Sequence, residues 1–195
     1  MRIDRSFFER DAVTAARELI GCYLVRVSEE GITKARIVET EAYMGEIDDA
    51  AHSYKGKTER VRALYGEKGR AYIYLIYGMY NCLNISAGPE GVPQCILIRA
   101  AEPTEGTDLM KTRRRTDKIT NLCSGPGKLC MAMDITRVLY DEDMVNGEVL
   151  YIEAGEKLQT EESKRIGIDY AEKCRDKLWR FTAKDNKFVS KPQIK

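Results

Sequence analysis

The run Ala71-Tyr72-Ile73-Tyr74-Leu75-Ile76-Tyr77-Gly78-Met79-Tyr80, continuing Asn81-Cys82-Leu83-Asn84-Ile85-Ser86-Ala87, then Gly88-Pro89-Glu90-Gly91-Val92-Pro93 and Gln94-Cys95-Ile96-Leu97-Ile98-Arg99-Ala100, decides how the chain folds. Aromatic and β-branched residues crowd Ala71–Tyr77, Asn81–Ala87 and Gln94–Ala100, as strands favour. Gly78 and the segment Gly88–Pro93 break them at turn positions. The reading is a pair of consecutive antiparallel hairpins.

Working outward, Cys22–Val27 and Lys34–Tyr43 read as a further hairpin around the turn Ser28-Glu29-Glu30-Gly31. Asp11 is placed to cap a helix with Val13, Ala16, Leu19 and Ile20 on one stripe, stopped at Gly21. Residues 104–118 and Lys128–Met133 read as helices, and Glu148–Glu153 as a further strand. Residues 44–70 are polar and glycine-bearing, an irregular segment long enough to suggest function. Hairpins with helices added predict an α+β fold. With 195 residues and no clear linker or repeat, residues 1–195 form one domain.

Composition excludes several classes. Hydrophobic residues make up 43% and charged residues 32%, an ordinary globular balance. No stretch approaches the ~20 apolar residues of a membrane span. The start, Met1-Arg2-Ile3-Asp4-Arg5, lacks the pattern of a secretion signal, so a soluble cytoplasmic protein is expected. The six cysteines form no C-x-x-C pair, and free, mostly buried thiols fit that compartment. With a single histidine, His52, a multi-histidine metal site is impossible. No glycine-rich phosphate loop precedes a helix.

Net charge is +1, which gives no whole-chain support for nucleic-acid binding. The charge is segregated, however. Residues 55–70 carry six basic side chains against two acidic, and residues 111–118 five against one. Each window sums to +4, leaving −7 elsewhere. Seven of the 11 tyrosines fall within residues 43–80, beside the first window. Basic windows next to aromatic side chains suit contact with a phosphate backbone, although solvated loops and a helix face would read the same way.

The chemistry centres on Ala35-Arg36-Ile37-Val38-Glu39-Thr40-Glu41-Ala42-Tyr43. Strand alternation places Ile37, Glu39, Glu41 and Tyr43 on one face. That face is either an edge with solvated carboxylates or a cleft carrying a general base. Arg99 closes an apolar strand, so its guanidinium needs a carboxylate partner, with Glu39, Glu41 and Glu102 as candidates. The residues alone do not choose between Glu39 and Glu41.

The runs Val38-Glu39-Thr40-Glu41-Ala42-Tyr43, Asp49-Ala50-Ala51-His52-Ser53, Tyr74-Leu75-Ile76-Tyr77-Gly78-Met79-Tyr80, Asn84-Ile85-Ser86, Leu97-Ile98-Arg99-Ala100 and Leu122-Cys123-Ser124-Gly125-Pro126-Gly127-Lys128-Leu129-Cys130 together resemble the alkyladenine (3-methyladenine) DNA glycosylase family. The resemblance extends from Phe7-Phe8 to Trp179-Arg180-Phe181; one departure is Leu178, where proline often precedes that last run. It implies a curved, mainly antiparallel sheet surrounded by short helices, with a hairpin protruding into DNA. It implies a monofunctional base-excision repair enzyme that flips alkylated or deaminated purines out of duplex DNA. The N-glycosidic bond is then hydrolysed, releasing the base and leaving an abasic site.

By position, the resemblance makes Glu41 the general base for water and Arg99 its helper. Ile166 contributes a backbone carbonyl to that water. Tyr43, His52 and Tyr74 hold the flipped base, and Asn84 crowds the amino group of normal guanine. Tyr77, with Met79 beside it, enters the duplex. Arg60, Arg62, Lys68, Arg70 and Lys128 are the candidate phosphate contacts. No cofactor or metal is expected. The expected partner is double-stranded DNA containing damaged purines, bound by a monomer with no membrane association, in the cytoplasm and nucleoid (or a nucleus). A non-catalytic DNA-binding module would lack Glu41 or Arg99, and both are present. A transferase would need an Asn/His/Asp set that is not found.

Overall fold

The structure is a computed structural model, described for residues 1–190. Eight strands form one antiparallel sheet: β1 Tyr23–Ser28, β2 Gly31–Tyr43, β3 Ala71–Ile76, β4 Tyr80–Ala87, β5 Gln94–Glu105, β6 Leu150–Glu153, β7 Thr160–Ser163 and β8 Arg180–Ala183. The order is β3-β4-β5-β2-β1-β6, with β8 joining β2 and β7 joining β8. The expected α+β class and antiparallel hairpins are borne out. β2 runs 13 residues because it serves three neighbours. Its first half pairs with β1, Glu39–Glu41 pair with β8, and nearly its whole length pairs with β5.

Three short helices flank the sheet: α1 Ala12–Glu18, α2 Thr107–Arg114 and α3 Pro126–Ala132. Asp11 caps α1 by accepting from the Thr14 amide at 3.0 Å. Ala12, Ala15, Ala16 and Leu19 bury its inner face. The turn after it needs Gly21, whose φ is +99° and where a Cβ would lie 2.0 Å from the Glu156 carbonyl oxygen. α2 is shorter than the expected 104–118. β5 runs on to Glu105, and Arg115 at φ 50° ends the helix. The polar segment before β3 holds two 3-10 turns, Gly45–Ile47 and Glu59–Leu64.

The main core lies between sheet and helices, with Phe8, Leu19, Leu24, Ile37, Ile85, Ile98, Met110, Leu129 and Phe181 at its centre. Each such side chain contributes about 1.5–3 kcal/mol by burial. A second, smaller cluster of Val61, Leu64, Tyr72 and Cys95 packs with Tyr43, Tyr65, Tyr74 and Tyr140. All six cysteines are unpaired and buried, as expected.

Candidate active site

Sheet register assembles the site. Opposed pairs Glu41–Leu97, Leu97–Asn84 and Asn84–Tyr72 run across β2, β5, β4 and β3. Directly opposed residues share a face, so these four line one row. Tyr74 follows Tyr72 by two and Tyr43 follows Glu41 by two, which puts both on that face. Strict alternation fails at one place. The β2–β5 register shifts between Ile37 and Glu39 and again between Glu39 and Thr40, skipping Val38 on one strand and Arg99 on the other. Ile37 therefore joins Val38 in the main core instead of sharing a face with the carboxylates. The irregularity aims Arg99 at both glutamates, as bulges beside functional sites do.

Glu39 and Glu41 are both fully buried but differ in how they are used. Glu39 accepts from Arg99 Nε at 3.0 Å, Arg180 Nε at 2.8 Å, Ser190 Oγ at 2.8 Å and Ser190 N at 2.7 Å. Three of those donors meet Oε1 and one, the Ser190 amide, meets Oε2, so this carboxylate is tied to two guanidinium groups and to Ser190. Glu41 accepts from the Ile166 amide at 2.8 Å and the Tyr43 hydroxyl at 2.9 Å, and pairs with Arg99 Nη1 at 3.3 Å. One position, on Oε2, stays open. The two carboxylates differ in partners: Glu39 is held by two guanidinium groups and Ser190, and Glu41 lies beside Tyr43 and Ile166. Burial alone would lower the Arg99 pKa, but Glu41 and Glu39 outweigh it and hold the guanidinium above its ordinary value. Burial raises Tyr43 well above the ordinary tyrosine value, so its hydroxyl stays a donor.

The aromatic residues meet beside this row. The His52 and Tyr74 rings pack edge to face with centroids 4.5 Å apart, and Tyr72 lies 5.6 Å from Tyr74. His52 Nδ1 is 2.8 Å from the Tyr72 hydroxyl, and Nε2 is 3.5 Å from Arg60 Nη2. Arginine only donates, so Nε2 is the acceptor and Nδ1 carries the proton. Desolvation, then the Arg60 charge, lower the His52 pKa to about 4, although the residue keeps an exposed edge. Tyr72 orients His52, a role that only its register with Asn84 could have signalled. Asn84 is buried and donates to the Tyr72 carbonyl at 3.1 Å. Burial also holds the neighbouring Cys95 thiol up at about 12, keeping it neutral.

Tyr77 stands at the tip of the β3–β4 hairpin with 84% of its surface exposed, and Met79 with 67%. Tyr77 has φ 54° and Gly78 φ 69°, with the Met79 amide closing the turn on the Ile76 carbonyl. The sequence reading carried the strand through Tyr77; the turn begins there instead. A tyrosine in the left-handed region costs roughly 1–2 kcal/mol, which an ordinary turn residue would avoid.

The basic residues divide. Arg60 and Arg62 are exposed, on the 3-10 turn beside His52. Lys68 is not available to a phosphate, correcting the expectation from its window. It is 3% exposed, and its ammonium donates to the carbonyls of Leu64 and Val92, both at 2.7 Å. Desolvation lowers its pKa to about 8. Arg70 is paired with Glu67 at 2.7 Å, and Lys128 donates to Asn121 at 2.6 Å. In the second window, Arg113 binds Glu30 and Arg114 the Leu122 carbonyl. Much of that charge is structural.

Ile166 donates its amide to Glu41 Oε1 at 2.8 Å, which brings the residue expected to hold the water beside the carboxylate. Its placement depends on Arg165, which no sequence signal marked as special. Ligand atoms of Asp48, Asp49 and Cys174 lie within 4.8 Å of one another. Arg165 occupies Asp48, and three backbone amides occupy Asp49, so this grouping works as a clasp between loops. No helix among the described residues is long and apolar enough to cross a membrane.

A buried glutamate, an arginine beside it and an aromatic cluster thus meet on one sheet face. Comparison with known proteins gives the class of protein that carries them. The family model described as methylpurine-DNA glycosylase matches residues 6–187. A protein of Clostridium tetani is 49% identical over 98% of this chain and all of its own length, and one of Clostridium acetobutylicum 47% over 97% and 98%. One of Methanocella arvoryzae is 46% identical over 97% and 96%. All three bear the name "putative 3-methyladenine DNA glycosylase". The chain belongs to the methylpurine-DNA glycosylase family, and by that membership is an N-glycosylase of alkylated-purine DNA repair.

Proposed function

We propose that this chain removes 3-methyladenine and related alkylated purines from duplex DNA by flipping the nucleotide and hydrolysing its glycosidic bond. The observation that carries this reading is the open acceptor on Glu41, on the same sheet face as Tyr43, Tyr72 and Tyr74. A 3- or 7-alkylated purine is cationic, so tyrosine faces attract it, with stacking worth roughly 1–3 kcal/mol. Neutral His52 adds no opposing charge.

The step balances simply. Water attacks the deoxyribose C1′ and gives its proton to Glu41. The C1′–N bond breaks, and its electron pair leaves with the purine, which departs neutral because it began as a cation. The remaining hydroxyl makes an abasic site. Arg99 and the Tyr43 hydroxyl hold the carboxylate, and its negative charge faces the cationic character developing on the sugar. The Ile166 carbonyl is a second candidate to hold the water. Deaminated purines such as hypoxanthine lack the cationic leaving group and are the slower class.

In the free protein the His52 and Tyr74 rings touch. Two stacking gaps of ~3.4 Å each must open between them to admit a purine. Tyr77 and Met79 enter the space the base vacates, where unstacking costs about a few kcal/mol per step. Arg60 and Arg62 contact phosphates beside the pocket. One chain per lesion suffices, so the active species is a monomer working where the cell keeps its DNA. Single-turnover assays on duplexes carrying 3-methyladenine, 7-methylguanine, hypoxanthine or ethenoadenine test the reading. Base release without strand cleavage, fastest for 3-methyladenine, is expected; no release from any of the four overturns it.

A further inference from the structure

Two of the three contacts on Glu41 trace back to one buried ion pair. Arg165 donates to Asp48 through both terminal nitrogens, Nη1 to Oδ2 at 2.6 Å and Nη2 to Oδ1 at 2.9 Å. Both side chains are fully buried. The same guanidinium donates to the carbonyls of Ala42 at 3.0 Å and Cys174 at 3.3 Å. Asp48 in turn accepts from the amides of Met44 at 3.0 Å and Ala50 at 3.1 Å. The pair thus ties together the end of β2, the loop after it and the loop running from residue 165 to 174. Asp49 reinforces the tie by accepting from the amides of Glu172, Lys173 and Cys174.

The tie converges on the carboxylate. Ile166, the next residue after Arg165, donates its amide to Glu41 Oε1. The Arg165 guanidinium lies 4.6 Å from the Tyr43 ring centroid, fixing the ring whose hydroxyl donates to Glu41 Oε2; Trp179 lies 5.0 Å away. Arg165 Nε finds no acceptor among the described residues. A buried ion pair with an orphan donor is a poor way to gain stability, since well-packed apolar residues do as well or better. We propose that Asp48 and Arg165 are positioning residues that aim the Glu41 carboxylate, through the Ile166 amide and the Tyr43 ring. Neither touches the reacting atoms. The proposal rests on the reading of Glu41 as the base.

The test separates position from stability. The double variant Asp48→Asn/Arg165→Met removes both charges and keeps similar volume, so no unpaired charge remains buried. Its urea midpoint is expected to fall, because the Ala42 and Cys174 carbonyls lose their donor, while the chain stays folded in buffer with affinity for 3-methyladenine duplex within about 3-fold. Single-turnover excision at saturating protein should fall about 10- to 100-fold, the scale of a misplaced catalytic group. Arg165→Lys keeps a charge but loses the two-pronged contact, and is expected to be slow as well, with affinity again unchanged. A folded double variant, or a folded Arg165→Lys, that excises at the wild-type rate overturns the proposal. Glu41→Gln in the parent chain keeps the two readings apart. If it excises normally, the assignment of the base is wrong. If it is inactive while the double variant is normal, the positioning role alone is wrong.

Discussion

Glu39 and Glu41 reach the same guanidinium, that of Arg99, from positions two apart on β2, and Glu41 alone also accepts from the Tyr43 hydroxyl and the Ile166 amide. Glu39 binds Arg99, Arg180 and both donors of Ser190, linking β2, β5 and β8 to the last described residues. Glu39 is a structural node, and Glu41 is the carboxylate proposed to face the chemistry.

Glu39→Gln should therefore damage stability. Removing one partner of a buried pair leaves the others uncompensated, at a cost of about 3–5 kcal/mol. Urea unfolding checks this, and a midpoint unchanged from wild type would contradict the structural role.

Tyr77→Gly should do the reverse. Glycine relieves the left-handed backbone at φ 54°, and the exposed ring contributes no burial. Stability should rise by up to about 1 kcal/mol, while affinity for lesion duplex falls at least tenfold, about 1.4 kcal/mol. Paired thermal and binding titrations measure both; unchanged affinity would remove the intercalating role.

His52 is the sole histidine, so its ring protons titrate alone in an NMR spectrum. Its pKa should lie near 4 and not near 6.5. Between those values the unfolded chain binds the extra proton and the folded chain does not. Stability from this group is present above pH 6.5 and is lost as pH falls toward 4. A titration midpoint near 6.5 would show that Arg60 and the aromatic packing do not act on the ring.

Salt dependence discriminates among the cations. Arg60→Ala and Arg62→Ala should each lower the salt slope of DNA binding by about 1. Lys68→Met should leave the slope unchanged, because that ammonium faces carbonyls inside the protein. A slope change for Lys68→Met would contradict its burial.

Legibility followed periodicity. The hairpins from Ala71 to Ala100 and from Cys22 to Tyr43 could be read because alternation and glycine turns are local signals. β7 and β8 could not, since each is short and both join the sheet only by long-range pairing, β8 with β2 and β7 with β8. The paired bulges at Val38 and Arg99 were equally hidden, so Ile37 was placed on the wrong face. At the site, the carboxylates Glu39 and Glu41 and the arginine Arg99 stood out as charges on apolar strands, while the choice of Glu41 and the roles of Tyr43 and Tyr74 came only from the family resemblance. Asp48 and Arg165 did not stand out, because a pair 117 residues apart leaves no trace in spacing. Lys68 misled because a basic window records charge and not direction.

The most direct test of the account is single-turnover excision of 3-methyladenine by Glu41→Gln. Glutamine keeps the shape: its Oε1 can still accept from the Ile166 amide while its Nε2 donates to the Tyr43 hydroxyl, but it cannot take a proton from water. Lesion binding should persist within about 3-fold while the rate of base release falls by about 100-fold or more, the range for losing a general base. Release at a near-normal rate would contradict the central claim that Glu41 activates the water.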